Sequence, residues 1–183
     1  MSMLVVTSLN RIYAEQPAIQ PGEALARLGN LVRASLNQDR DDCQSNDGFD
    51  AGLCKVNPGK GNVVFAGSRT NCFIIPRSGD PVIRLQGEKQ ALGYPGKEPY
   101  VALEAFEVSI EQCATFFMAS DGVLDQPGGD KNVAFGPRRM MQSLERFRHL
   151  GAEGLVREMK HHIDQWRGQE KRRDDVSALA FTV

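Results

Sequence analysis

The stretch that decides the fold is Thr115-Phe116-Phe117-Met118-Ala119-Ser120-Asp121-Gly122-Val123. An apolar run entering Asp-Gly reads as a strand that delivers a carboxylate to its end, where Gly122 lets the backbone turn sharply and approach a ligand closely. A second stretch, Arg173-Asp174-Asp175-Val176-Ser177-Ala178-Leu179, has the reverse polarity, acid first and strand after. If the two strands pair, Asp121 and Asp174 open onto one edge of the sheet. Two carboxylates about 4 Å apart repel by roughly 4 kcal/mol at an effective dielectric near 20, so such a pair is spread, protonated or bridged by a cation. A hard divalent cation is the productive answer, since oxygen-only donors suit magnesium or manganese.

Upstream of this strand, short apolar runs alternate with turn residues, as in an antiparallel sheet. Ala51 to Val56, the turn Asn57 to Gly61 and Asn62 to Ala66 read as a hairpin. Cys72 to Ile75, the turn Arg77 to Asp80 and Val82 to Leu85 read as another, and Ala105 to Val108 adds a strand, giving five or six before the chain's end. Before the sheet, Met1, Val5, Leu9 and Ile12 recur at helical spacing with no capping residue ahead of them, and Pro21 opens a second helix carrying Leu25, Leu28, Val32 and Leu36. Beyond Asp121, Met140, Leu144 and Phe147 mark a helix from near Pro137, and Leu155, Met159, Ile163 and Trp166 mark another after Gly154. Val176 to Val183 alternates as a last strand, expected in the interior of the sheet.

The 183 residues suit one domain spanning 1–183, and the linker-like pieces, the polar tract 37–47 and the loop Gln126 to Asn132, do not divide it. Charged residues make up 25% and apolar ones 41%, with a net charge of -1, which gives no general attraction to nucleic acid or anionic lipid. No apolar run approaches the roughly 20 residues that span a bilayer, and no secretory signal opens the sequence, so a cytoplasmic location is expected, as is the role of output domain of a longer sensor. Cys43, Cys54, Cys72 and Cys113 are widely spaced, without a zinc-binding pattern, and are expected to be reduced.

On spacing alone, a blander reading stays open: Asp-Gly is a common turn dipeptide, and Asp174 and Asp175 sit in a charged loop with Lys171, Arg172 and Arg173. That basic run would steer an acidic substrate or simply be solvated. Adjacent His161 and His162 point about 100° apart on a helix and read as one surface and one half-buried side chain, with no catalytic role. Arg69 reads as a surface ion pair before it reads as a phosphate ligand. Asp125 and Asp130 read as loop acids, and Phe147 and Trp166 as core.

The string Ser120-Asp121-Gly122-Val123-Leu124-Asp125, followed by Phe135-Gly136 and closed by Asp174-Asp175-Val176-Ser177, resembles the later half of the metal-dependent protein phosphatase family, the protein phosphatase 2C type. The nearer likeness is to its bacterial branch of stage II sporulation and sigma-B regulatory phosphatases. Asp47-Gly48-Phe49-Asp50, Val64-Phe65-Ala66-Gly67 and Gly87-Glu88-Lys89-Gln90-Ala91-Leu92-Gly93 agree in order, so the resemblance spans nearly the whole chain. It implies an α+β fold, an antiparallel β-sandwich flanked by helices, and hydrolysis of phosphoserine or phosphothreonine on a protein by a metal-activated water. It implies Asp121 and Asp174 as ligands of Mn2+ or Mg2+ in a two-metal site, with Asp175 orienting its neighbour beside Gly122. The partner implied is a phosphoprotein such as an anti-sigma-factor antagonist domain.

The sequence departs from the family in one respect. No Gly-His-Gly occurs, so the family's Asp-x-x-Gly-His-Gly, whose aspartate bridges both metals, is unmatched, and the chain resembles an N-terminally incomplete domain lacking its first strands. The expectation is a weak or inactive phosphatase with an exposed sheet edge that invites a homodimer. The alternatives are a pseudophosphatase acting as a protein-binding regulatory module, and a β-rich interaction module in which the aspartates are incidental.

Overall fold

The computed structural model describes residues 1–40 and 42–183, so Asp41, inside the expected polar tract 37–47, lies outside the described residues. The chain divides into two compact units.

One unit comprises Met1–Pro58, Val63–Arg69 and Gln86–Glu107. Its helices are α1 (Ser2–Glu15) and α2 (Pro21–Ser35). As expected, α1 starts without a side-chain cap, whereas α2 has Pro21 in its first turn and the Glu23 carboxylate accepting the Gln20 backbone N–H at 3.4 Å. Ile12, Ile19, Ala24, Leu28 and Val32 pack α1 against α2, and Glu15 joins them further by ion pairs to Arg11 and Arg27. Strands β1 (Ala51–Asn57), β2 (Asn62–Ser68) and the later β5 (Ala105–Ser109) form a sheet in the order β1-β2-β5. Leu25 and Ala26 of α2 meet Ala66, Leu92, Tyr100 and Leu103 in a second apolar cluster.

Two buried polar side chains order what composition alone reads as linker. Gln38 is 1% exposed; its Nε2 donates to the carbonyls of Asp47 (2.8 Å) and Gly93 (2.6 Å), and its Oε1 accepts from Asp47 N (2.7 Å) and Ser45 Oγ (3.0 Å). All four of its hydrogen-bonding positions are used, which makes burying an amide affordable. Arg33 donates to the Tyr94 and Glu98 carbonyls and lies 4.0 Å over the Tyr100 ring. Arg69 meets Asp50 at 3.7 Å, the surface ion pair expected of it.

The other unit comprises Gly59–Asn62, Thr70–Leu85 and Val108–Val183. Strands β3 (Cys72–Pro76), β4 (Ile83–Leu85), β6 (Cys113–Ala119) and β9 (Ala178–Phe181) form an antiparallel sheet in the order β4-β3-β6-β9. Helices α4 (Gly136–Phe147) and α5 (Gly151–Arg167) begin one and four residues before their expected starts. Met140, Leu144, Leu155, Met159 and Ile163 from these helices pack on Phe73, Ile75, Phe117 and Ala119 from one face of β3 and β6. Burying Phe117 contributes on the order of 3 kcal/mol. Ile74 and Phe116, on the opposite face, are buried as well. Strands buried on both sides read as unbroken apolar runs, which is how these two stand in the sequence.

Three local expectations are corrected. Strand β9 lies at the edge of its sheet, not inside it, with Leu179 53% exposed; among the described residues it pairs with β6 alone. The loop Gln126 to Asn132 contains β7 (Pro127–Gly128), paired with β8 (Val133–Ala134); two-residue strands carry no periodicity to read. Asp121 does not end a strand but opens a one-turn helix, α3 (Asp121–Leu124). Among the described residues Cys43, Cys54, Cys72 and Cys113 form no disulfide. No helix among the described residues is long and apolar enough to cross a membrane.

Candidate metal centre

The two acid-bearing segments meet because β6 and β9 pair. Their register runs from Phe116 opposite Phe181 to Ala119 opposite Ala178, so the residues that follow β6 and those that precede β9 emerge at the same end of the sheet. Ser120 then ties one to the other. Its N–H donates to Ser177 O (2.9 Å), its Oγ donates to Asp175 O (3.1 Å) and its Oγ accepts the Ser177 N–H (3.0 Å). Two residues later, Gly122 is buried with its Cα against the Asp174–Asp175 backbone: a Cβ there would stand 2.2 Å from Asp175 O and 3.3 Å from the Asp174 carbonyl carbon. The glycine is required by close approach, since any side chain would occupy the space taken by that backbone.

Asp121, Asp174 and Asp175 are exposed. Asp121 Oδ1 accepts the Gly122 N–H at 2.8 Å and Asp174 Oδ1 accepts the Asp175 N–H at 2.8 Å, so each carboxylate is oriented by the amide that follows it. Among the described residues none of the three acids forms an ion pair, although Lys171, Arg172 and Arg173 are close in sequence. Arg172 is turned to Asp164 of α5 instead, at 3.4 Å. Carboxylates without a protein cation, on backbones pinned side by side, are a donor set of hard oxygens that fits Mg2+ or Mn2+ retaining much of its water. Among the described residues no three His, Cys, Asp or Glu side chains gather into one cluster that could hold a metal ion.

Sequence reasoning did not single out Gln126 or Asp164. Gln126 is 1% exposed and joins four segments: its side-chain Nε2 donates to Pro127 O (3.0 Å) and Lys171 O (3.1 Å), while its backbone carbonyl accepts from Phe135 N (2.9 Å) and Trp166 Nε1 (3.3 Å). The Lys171 bond fixes the approach to Asp174 from the same loop that follows Asp121. Asp164 accepts Lys160 at 2.9 Å and faces Arg167 and Arg172 at 3.7 and 3.4 Å; the hydrogen bond from Lys160 is the leading cause that holds its carboxyl below the ordinary range. A lone glutamine forty-five residues from its partner leaves no periodic signal in a sequence.

His161 and His162 fall where expected. His161 is exposed and pairs with Gln165. His162 is wedged edge-on between Phe135 and Phe147, at 5.9 and 5.8 Å between centroids, and this burial, with Arg146 and His161 adding positive charge, lowers its pKa. Phe147 and Trp166 pack at the margin of the core. Asp125 and Asp130 are exposed loop acids.

The architecture is that of the PP2C-like phosphatases: antiparallel sheets with flanking helices. The whole chain superposes on 67% of the SiaA-PP2C domain of Pseudomonas aeruginosa, with a TM-score of 0.82 at 23% identity. It matches the phosphatase domain of the cell fate determinant SpoIIE from Bacillus subtilis (TM-score 0.59, 16% identity, 98% of this chain and 73% of that one). It also matches the serine/threonine phosphatase Stp1 from Staphylococcus aureus (TM-score 0.62, 12% identity, 100% and 76%). Residues 1–183 match the family model for stage II sporulation protein E, and the chain belongs to that SpoIIE family. The likeness read from Ser120-Asp121-Gly122 and Asp174-Asp175-Val176-Ser177 is borne out at the level of family and fold. No curated protein matches the chain in sequence.

Proposed function

We propose that this chain is a metal-dependent serine/threonine protein phosphatase domain acting on a phosphorylated regulatory protein, with Asp121 and Asp174 as the ligands of Mn2+ or Mg2+. The observation that carries the reading is the Ser120 and Gly122 junction, which holds the two acid-bearing backbones against each other in a chain of the SpoIIE family. When bound, such an ion supplies an acidified water and neutralises phosphoryl oxygens. The protein's part is positional. Asp121 and Asp174 present their outer oxygens while their Oδ1 atoms are held by the following amides. Asp175 supplies that amide to Asp174, and its own carbonyl is fixed by Ser120. Lys171 and Arg173 are exposed beside the acids and attract an anionic phosphoprotein, an effect that salt screens.

Two exposed carboxylates, each already sharing one oxygen with the backbone, hold an ion loosely, and low turnover by the 183-residue chain follows. The same looseness favours a second reading, a pseudophosphatase that binds a regulatory protein without hydrolysing it. The assay is release of phosphate from a phosphoserine protein with and without Mn2+. The phosphatase reading expects metal-dependent release that Asp121→Asn and Asp174→Asn each reduce at least about a hundredfold. Binding of the phosphoprotein with no release in any metal favours the second reading, and metal-independent release untouched by either variant sinks the first.

A further inference from the structure

Helix α4 and the turn after it carry Arg138, Arg139, Arg146 and Arg148 but one carboxylate, Glu145. Among the described residues, none of these arginines, nor Arg84 on β4, meets a carboxylate at ion-pair distance. Three are occupied in other ways. Arg139 lies 4.5 Å over the Trp166 ring and donates to the Ala134 and Phe135 carbonyls; Arg148 donates to the carbonyls of Pro76, Gly79 and Asp80; Arg146 sits 5.3 Å over the Phe147 ring. Glu145 Oε1 accepts the Val82 N–H at 3.2 Å and neutralises none of them. The contrast with α5 is direct, where Asp164 alone collects three cations.

The two arginines left over, Arg84 and Arg138, border one groove. It lies between β4 and α4, is lined by Arg84, Pro137, Arg138, Met141, Gln142 and Glu145, and has a volume of about 360 Å3. That is near the lower end of the ~300–1,000 Å3 typical of ligand sites. Arg84 is under-used: Nη2 makes one long bond to Asn71 Oδ1 at 3.3 Å, and Nε is buried with no acceptor among the described residues. Arg138 stands exposed on the rim, and among the described residues it has no hydrogen bond or ion pair. A guanidinium is a planar fork that matches carboxylate oxygens, and a neutral amide at long range satisfies it poorly.

We propose that this groove docks an acidic segment of a protein partner, an aliphatic side chain resting on Pro137 and Met141 and flanking carboxylates reaching Arg84 and Arg138. Charge complementarity gives the sign of the partner, and the apolar lining gives its kind. A nucleic acid would carry repeated phosphates past Glu145 and has nothing for Met141, whereas a peptide that alternates acidic and aliphatic residues uses every wall. Gln142 faces the segment's backbone with both a donor and an acceptor. The inference is independent of the metal reading, because it uses no residue of that site.

The test uses a fluorescein-labelled peptide of alternating leucine and glutamate, followed by anisotropy against the full chain, with amide resonances mapped in parallel. The expected result is saturable binding, shifts centred on Arg84 and 137–145, and an affinity lowered about tenfold by Arg138→Glu, as for loss of a charge partner at an interface. Arg157→Glu on α5 makes the same charge change elsewhere and should leave binding within about twofold. Because Arg138 is exposed, its variant should fold, and a circular-dichroism melt checks that it does. Equal weakening by both variants, shifts centred on Asp121 and Asp174, or no binding at all overturns the proposal. So does displacement of the peptide by inorganic phosphate beyond what sodium chloride of equal ionic strength achieves, which marks a small-anion site. Light scattering that shows the peptide dissociating a dimer assigns the groove to a second copy of the chain and overturns it too.

Discussion

Gly122 and the carbonyl of Asp175 are so close that a methyl group on Gly122 would lie 2.2 Å from the oxygen. This contact makes Gly122→Ala a sharp test, because helix propensity and packing predict opposite signs. In the turn Asp121–Leu124, alanine in place of glycine would stabilise by up to ~1 kcal/mol on propensity alone. The overlap instead forces the Asp174–Asp175 backbone away, at a cost of roughly 1–3 kcal/mol. Urea unfolding should show net destabilisation, and a stabilised variant would mean that the two segments are not in contact.

The pin from Gln126 to Lys171 predicts a local effect larger than its global one. Gln126→Met removes two hydrogen bonds from Nε2, and it also removes Oε1, which is buried without a partner. Loss and relief nearly offset, leaving about 1 kcal/mol or less. Amide exchange at 171–176 should nonetheless quicken severalfold while β3 and β6 stay protected. Uniform acceleration over the sheet would show that Gln126 supports the whole unit and not this one segment.

His162 predicts a pH dependence in the acid direction. Its folded pKa is depressed by burial between Phe135 and Phe147, so between the unfolded value near 6.5 and the lower folded value the unfolded chain binds more protons. Stability is therefore full above about pH 6.5 and falls as the pH is lowered through that window. His162→Gln should flatten the slope of unfolding free energy there. An unchanged slope would place the responsible group elsewhere.

Asp164 acts in a different window. Its folded pKa is lowered, first by the hydrogen bond from Lys160, so its contribution is present above the unfolded value of about 3.9 and is lost as the pH falls through the folded one. The pairs are surface ones with the Arg172 side chain half-exposed, so Asp164→Asn should cost less than about 1 kcal/mol at neutral pH and less still in high salt. A larger, salt-insensitive loss would argue for a role beyond these ion pairs.

Much of the framework was legible because burial leaves periodic marks. Phe116 to Ala119 and Cys72 to Ile75 are unbroken apolar runs because both of their faces are buried, and Leu155, Met159 and Ile163 recur at helical spacing because one face of α5 is. Asp121 stands out in the sequence because it follows the buried run Phe116 to Ala119, and Asp174 because it precedes the alternating run Val176 to Val183. What could not be read depends on single long-range bonds. Nothing local shows that Gln126 reaches Lys171, that Gln38 closes on Asp47 and Gly93, or that β9 ends its sheet. The place of β9 depends on which strands pair, and the alternation of Leu179, Phe181 and Val183 suits an edge as well as an interior position.

The central claim, that Asp121 and Asp174 together hold a divalent ion, is tested most directly by calorimetric titration of Mn2+ into the wild-type chain, Asp121→Asn and Asp174→Asn. The account predicts a saturable heat in the wild type that either substitution abolishes, with thermal unfolding of the metal-free proteins little changed because both carboxylates are exposed. A wild-type titration without heat, or a heat that survives both substitutions, would contradict it.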